Sequence, residues 1–346
     1  MISFTRDHTQ VLKGIALLLM IVHHTSTPSL WADEGSDIFA IFQYLQKSAK
    51  ICVYIFAFLV GYGFYCSKNK TIQYSLKRCC LLLVPFWIML FGIFLPLSIV
   101  SGSFVENSDG NFWGGVTLIL LNMFGVDETL NWYSWFVCFY ILAICSLPLL
   151  HRLFAHYAKY GWIICIGFYY ICECLLHFMP NWESNWISLN LFTYTSQMPC
   201  VILGYMCAYW NYKGLLPRLF EGKSHIPLSV AGILAVLVLA AIRIPTLGFC
   251  LQAFYTPIFI FAVVGIINAT QLTCLSKFLK NIGDQSMYMW FFHAVVFTES
   301  VNTYTKRLVL EPIHNFFYTL FMTFILTYIG SWIIKRMVSP IIQRIK

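Results

Sequence analysis

A lysine and a histidine pair in the first apolar stretch supply a cation and a proton-transfer group at a spacing that returns to one face of a helix. Ten residues separate Lys13 from His24, and they are apolar except for Gly14 and His23. A helix advances about 100° and 1.5 Å per residue, so His24 returns to roughly the face of Lys13, about 16 Å further along the axis. The stretch therefore offers a positive charge near one membrane surface and a proton-transfer group about half-way into the bilayer core.

Two other apolar stretches also carry ionisable residues, Glu173 in one and His293 in the other. An ionisable group in hydrocarbon costs about 2.5 kcal/mol or more, so each of them needs a partner or a function. Glu173 lies four residues before His177 on the same helical face, where the two side chains can pair. We expect Glu173 or His293 to orient or reprotonate His24. The alternative is that both contribute only to helix packing.

Charged and aromatic residues at the ends of two later stretches are candidates for binding groups. Lys77 and Arg78 precede the third stretch, where two cations can hold an anionic group such as phosphate. Trp132 and Trp135 open the fourth stretch, where two indole rings can stack on a sugar. The alternatives are that the cations only orient the helix and that the tryptophans belong to an aromatic belt at the membrane interface.

The composition is that of a membrane protein. Of 346 residues, 59% are hydrophobic and 10% are charged, and the mean hydropathy is +0.73. Soluble domains carry about 25% charged residues, so lipid is the expected solvent. The net charge of +8 comes from cations scattered in short loops, which argues against a nucleic-acid partner. The 13 cysteines show neither CxxC pairs nor metal-ligand spacing, so we expect small packing residues and no metal site.

Apolar stretches of spanning length recur ten times, which predicts an all-α, polytopic membrane protein with a single domain over residues 1–346. The predicted helices lie near residues 10–27, 48–66, 79–100, 133–151, 160–178, 190–210, 226–243, 248–269, 285–302 and 315–334. We expect the first helix to be retained, because histidines and Pro28 stand where a signal peptide has small cleavage-site residues. The longest segments between helices, 28–47 and 101–132, are expected to be loops with a short re-entrant or interfacial run at 116–125.

The positions of lysine and arginine orient these helices. With the N-terminus inside and ten spans, 17 of the 22 cations fall in cytoplasmic segments. Because ten is even, both termini are then cytoplasmic. The expected location is the cell membrane.

Several motifs, taken in order along the chain, resemble the acyltransferase-3 family of integral membrane acyltransferases. The first is Lys13 followed after ten residues by His24. The later ones are Gly61-Tyr62, Lys77-Arg78 leading to Pro85-Phe86-Trp87, Trp132 to Phe136, Leu203-Gly204-Tyr205, Ile282-Gly283, and Ser286-Met287-Tyr288 before His293. The chain departs from the family at Gln10, where many members have Asp, at Val60, where Ser is frequent, and at Leu81, where a second Arg often sits.

The resemblance implies transfer of an acyl group, usually acetyl, from cytoplasmic acetyl-CoA to a hydroxyl of a carbohydrate or glycolipid of the cell envelope. We expect the CoA phosphates to bind to Lys13, Lys77 and Arg78. His24 would act as the general base or accept the acyl group itself.

A different superfamily of membrane acyltransferases, which also uses a buried histidine, is a minor alternative because the ordered motifs fit it less well. Two interpretations of another class stay open. A proton-coupled transporter or flippase of an envelope precursor would also have many spans with buried His and Glu, although the sequence has no visible inverted repeat. A structural or sensing protein with the same fold is the second, and the presence of both Lys13 and His24 argues against it.

Overall fold

The computed structural model describes residues 4–157, 160–178, 185–214, 222–242, 248–270, 273–297 and 315–345. Within these ranges the regular structure is helical and contains no strand. The helices are α1 Arg6–Thr25, α2 Asp37–Ala49, α3 Ile51–Cys66, α4 Ile72–Met89, α5 Leu95–Val100, α6 Ser103–Asn107, α7 Phe112–Met123, α8 Trp135–Tyr157, α9 Gly161–Phe178, α10 Trp186–Tyr212, α11 Ile226–Ala241, α12 Gly248–Thr270, α13 Thr273–Phe297 and α14 Phe316–Ile345. The prediction of an all-α protein is confirmed.

Over their described residues, the ten predicted stretches coincide with helices, and the end of the ninth stretch, 298–302, lies outside the described residues. Fewer of these helices are long and apolar enough to cross a membrane. Among the described residues, five qualify. They are Asp37–Cys66, Ile72–Val100, Trp132–Phe154, Leu251–Thr270 and Phe316–Ile345. Helix α1 is not among them, because its first turn is charged and its last turn carries two histidines. Ten spans and cytoplasmic termini stay predictions.

The prediction of loops at 28–47 and 101–132 is wrong in part, because both segments contain helices. The Ser36 hydroxyl caps α2 by accepting a hydrogen bond from the Phe39 amide at 3.2 Å. Asp37 in its first turn and Lys47 in its last turn complement the helix dipole. Lys50 alone joins α2 to α3, so the two form one long apolar segment.

The chain divides into two compact units, each assembled from separate segments. Unit 1 comprises Met1–Lys70, Leu147–Cys174 and Thr195–Ser286. Unit 2 comprises Thr71–Ser146, Leu175–Tyr194 and Met287–Lys346.

Two close helix crossings organise unit 1, and each depends on a glycine from both helices. Between α3 and α10, a Cβ at Gly61 would lie 1.8 Å from the Val201 carbonyl oxygen, and one at Gly204 would lie 2.1 Å from that of Phe58. Real side chains do not approach so closely, so the backbones of the two helices are in direct contact.

The second crossing joins α1 to α13 in the same way. A Cβ at Gly14 would lie 2.1 Å from the Leu279 carbonyl oxygen, and one at Gly283 would lie 1.8 Å from that of Gln10. The crossing fixes the half of α1 that carries Lys13 against α13.

In unit 2, α4 continues through a π-helical turn, Leu90–Phe94, into α5. Such turns are rare in helices and are frequent at functional sites. Gly92 in this turn and Gly330 of α14 line an apolar cavity of about 310 Å³.

Candidate functional site

Helix α1 carries the first pair of predicted site residues. The helix is unbroken from Arg6 to Thr25, with Lys13 in its first half and His24 in its last turn. Both side chains are half-buried. The eleven residue steps from Lys13 to His24 run in one continuous helix, so the two positions lie about 16 Å apart along the axis, as the spacing predicted.

The two histidines at the end of α1 differ in their contacts. His23 donates a hydrogen bond from Nδ1 to the Gln46 carbonyl oxygen of α2 at 2.7 Å. The Gln46 side-chain amide also donates to the Thr27 hydroxyl, which donates to the carbonyl oxygen of His24. These bonds fasten the end of α1 to α2 and give the ring of His23 a structural role. His24 stays the predicted residue for chemistry because of its ten-residue spacing from Lys13.

His293 lies in unit 2 and is fully buried on α13. Its Nδ1 donates to the Trp290 carbonyl oxygen, so in the neutral ring Nε2 is the nitrogen with the lone pair. The ring centroid lies 4.9 Å from that of Tyr133 and 5.8 Å from that of Trp290. The surroundings thus fix both the orientation and the tautomer of this histidine.

The predicted sugar-stacking residues lie on either side, in sequence, of a tyrosine that contacts this histidine. Tyr133, the residue in contact with His293, stands between Trp132 and Trp135 in sequence. The Asn131 side chain accepts a hydrogen bond from the Tyr133 amide at 3.1 Å and caps the short turn Trp132–Ser134. Trp132 is 72% exposed, so its indole is open to a ligand.

The two cations predicted to hold phosphate lie on α4, in unit 2, and both side chains are exposed. Arg78 donates a hydrogen bond to the Tyr140 hydroxyl of α8, which orients the guanidinium. Lys77, Arg78, Trp132, Trp135 and His293 therefore belong to one unit, whereas Lys13 and His24 belong to the other.

The side chain of Glu173 lies outside the described residues, although its backbone belongs to α9. Its pairing with His177 and its role beside His24 stay predictions.

A family model for an acyltransferase domain matches residues 10–336 of the chain. The chain belongs to the acyltransferase-3 family. Comparisons with curated proteins and with solved structures each found no match.

The glycines of the motifs that resemble the acyltransferase-3 family are the glycines of the two close crossings. Gly14 follows Lys13 in the first motif, Gly61 and Gly204 each precede a tyrosine in later ones, and Gly283 follows Ile282 in the last. The motifs of this acyltransferase therefore contain residues that determine helix packing, in addition to the residues predicted to serve its chemistry.

Glu128 is a titrating group that no local sequence pattern indicates. Glu128 lies in the loop before Trp132, where burial and the neighbouring Asp127 raise its pKa to about 7. Asn122 fixes the loop by donating to the Asp127 carboxylate at 3.2 Å and accepting from the Leu130 amide at 3.1 Å. Burial of a loop carboxyl depends on folding, so the sequence carries no signal for it.

Proposed function

We propose that the chain is a membrane O-acyltransferase that moves an acetyl group from cytoplasmic acetyl-CoA to a hydroxyl of a cell-envelope carbohydrate. One observation carries the proposal: the acyltransferase-domain match includes both Lys13 and His24, which lie on one unbroken helix. A transporter or flippase, the main alternative, has no comparable observation in its favour.

His24 would act on the acceptor hydroxyl. As general base, its neutral imidazole takes the hydroxyl proton while the oxygen attacks the thioester carbonyl. The new C–O bond forms, the C–S bond breaks, and the proton passes from His24 to the departing CoA thiolate. If His24 instead accepts the acetyl group first, the hydroxyl attacks the acyl-imidazole in a second step. The half-exposed ring of His24 suits either route.

The remaining predicted residues would bind or position the substrates. Lys13, Lys77 and Arg78 would neutralise the CoA phosphates. Trp132 and Trp135 would stack on the acceptor sugar, in line with the exposure of Trp132.

His293 is enclosed by Tyr133 and Trp290, so we assign it a positioning role, in which it orients the groups around the acceptor. Glu173 is proposed for the same kind of role toward His24.

The test compares His24→Ala with His23→Ala and Lys13→Ala, and measures acetylated carbohydrate per amount of membrane-inserted protein. We expect His24→Ala to lose acetylation by about 100-fold or more, as is usual for removal of a general base or nucleophile. We expect His23→Ala to keep most activity, because its ring serves structure. Lys13→Ala should raise the KM for acetyl-CoA. Normal acetylation by His24→Ala would overturn the assignment of His24.

A further inference from the structure

A group of tyrosines at one end of unit 1 takes no part in the proposed mechanism. Tyr65 lies in the last turn of α3. Three more tyrosines lie along one face of α10 at spacings of four and three residues: Tyr205, Tyr209 and Tyr212. We call these four residues the tyrosine cluster. We propose that the tyrosine cluster, with Lys70, binds the adenine nucleotide portion of the acyl donor, an inference that rests on the proposed use of acetyl-CoA.

The four rings of the cluster meet around Tyr65. Its ring centroid lies 5.2 Å from that of Tyr205, 6.0 Å from that of Tyr209 and 6.4 Å from that of Tyr212. The interplanar angles lie between 63° and 87°, in the edge-to-face range that aromatic pairs prefer. The rings therefore hold one another in fixed orientations.

The base of the cluster is anchored in the protein. Tyr205 is 2% exposed, and its hydroxyl is hydrogen-bonded to Nδ1 of His151 on α8. One turn and a half further along α10, the buried Asn211 donates to the Tyr62 hydroxyl of α3 at 3.1 Å. These bonds connect α3, α8 and α10 at the end where the cluster lies.

Exposure rises along the cluster from Tyr205, through the half-buried Tyr65 and Tyr209, to Tyr212, which is 71% exposed. A planar ligand can therefore reach the ring of Tyr212, which contacts the half-buried ring of Tyr65 on its other side. Stacking of a nucleobase on an aromatic side chain is a common mode of nucleotide binding and does not require a particular base.

One lysine lies over a ring of the cluster, and a second follows it in sequence. The Lys70 ammonium lies 5.5 Å from the Tyr65 ring centroid and is held by a hydrogen bond to the Ser67 carbonyl oxygen at 2.8 Å. Lys213 is exposed directly after Tyr212. An aromatic plane beside ammonium groups matches a ligand that is both flat and anionic, as the phosphorylated adenosine of CoA is.

The position of the cluster agrees with the expected source of the donor. Lys70 and Lys213 come from two segments that the cation distribution assigns to the cytoplasmic side, and His151 ends the predicted span that leads into a third. The ring contact of Tyr65 with Tyr205 and the hydrogen bond of His151 with Tyr205 bring the adjoining ends of α3, α8 and α10 together.

The experiment measures acetyl transfer by the purified protein from two donors, acetyl-CoA and S-acetylpantetheine, which lacks the nucleotide. Tyr212→Leu removes the exposed ring with little risk to folding, and Tyr212→Phe keeps the ring. Tyr44→Leu is the matched control, because Tyr44 is 51% exposed and also has a lysine, Lys47, over its ring at 5.9 Å.

We expect Tyr212→Leu to raise the KM for acetyl-CoA about tenfold, with kcat and the KM for S-acetylpantetheine unchanged. Tyr212→Phe should restore the wild-type KM, and Tyr44→Leu should leave both donors unaffected. An equal change for both donors, or no change for acetyl-CoA, would overturn the inference.

Direct binding separates this inference from the proposed function. If the wild type transfers acetyl from neither donor, the proposed function fails, and binding of adenosine 3′,5′-bisphosphate decides the inference by itself. If Tyr212→Leu binds adenosine 3′,5′-bisphosphate more weakly than the wild type does, the result supports a nucleotide site. Equal affinity for inorganic pyrophosphate, or competition only by anionic phospholipid vesicles, overturns it in favour of a charge-only or lipid-headgroup site.

Discussion

Single side chains at the candidate site differ in how their protonation responds to pH, and Glu128 is the clearest case. Its pKa is raised to about 7 because burial and the charge of Asp127 disfavour the ionised form. An ordinary glutamate titrates near 4.3, so the unfolded chain loses this proton at lower pH than the folded protein does. The contribution of Glu128 to stability is therefore fully present below about pH 4 and is lost as the pH rises through 7.

This prediction is checked by the thermal unfolding midpoint at pH 5 and at pH 8. We expect the wild type to lose several degrees between the two, and Glu128→Gln, which cannot ionise, to lose less. Glu106→Gln serves as the control, because Glu106 lies exposed on α6. The prediction would be contradicted if the unfolding midpoint of Glu128→Gln fell between pH 5 and pH 8 by as much as that of the wild type.

Residue spacing within one helix could be predicted from the sequence, but contacts between distant segments could not. Lys13 and His24 lie on α1 as their spacing required. The contact of Tyr133 with His293, in contrast, joins residues 160 positions apart, and nothing local in either segment specifies it. The hydrogen bond that distinguishes His23 from His24 depends in the same way on where α2 lies.

At the scale of helices, the contacts of two nearby glycines predict opposite effects on stability when each is replaced by alanine. Both Gly61 and Gly63 lie on α3, where alanine is intrinsically favoured over glycine by about 1 kcal/mol. A Cβ at Gly63 has no atom within 4 Å, whereas one at Gly61 would collide with the backbone of α10. Gly61→Ala should therefore destabilise the protein by about 1–3 kcal/mol, and Gly63→Ala should be neutral or stabilising.

The measurement is the thermal unfolding midpoint of each purified variant in the same detergent, together with the fraction that elutes as a folded species. Similar behaviour of the two alanine variants would show that α3 and α10 are not in direct backbone contact.

Helix positions were predictable where hydrophobicity marks them and less so elsewhere. All ten apolar stretches are helices because long apolar runs in lipid must satisfy their backbone internally. Helix α2 was missed because its segment looked loop-like in composition, although Ser36, Asp37 and Lys47 supply the usual signals for helix ends. The π-helical turn Leu90–Phe94 has no comparable sequence signal.

For the whole molecule, the cation distribution predicts the orientation in the membrane. A short epitope inserted between Asp109 and Gly110, in the exposed turn after α6, should bind antibody on intact cells. The same epitope after Lys68 should bind only after the membrane is permeabilised, because that loop is predicted to be cytoplasmic. The reverse pattern would place the termini and the Lys70 side of unit 1 outside.

The paired glycines also have a consequence for how sequences of this family can diverge. Positions 14, 61, 204 and 283 tolerate no side chain while the two crossings persist, whatever molecule is acylated. We therefore expect homologues with unrelated acceptors to retain these four glycines and to differ around the exposed Trp132. A search for homologues that keep these four glycines would find proteins with the same helix architecture. The acceptor of each homologue would have to be inferred from the residues that vary.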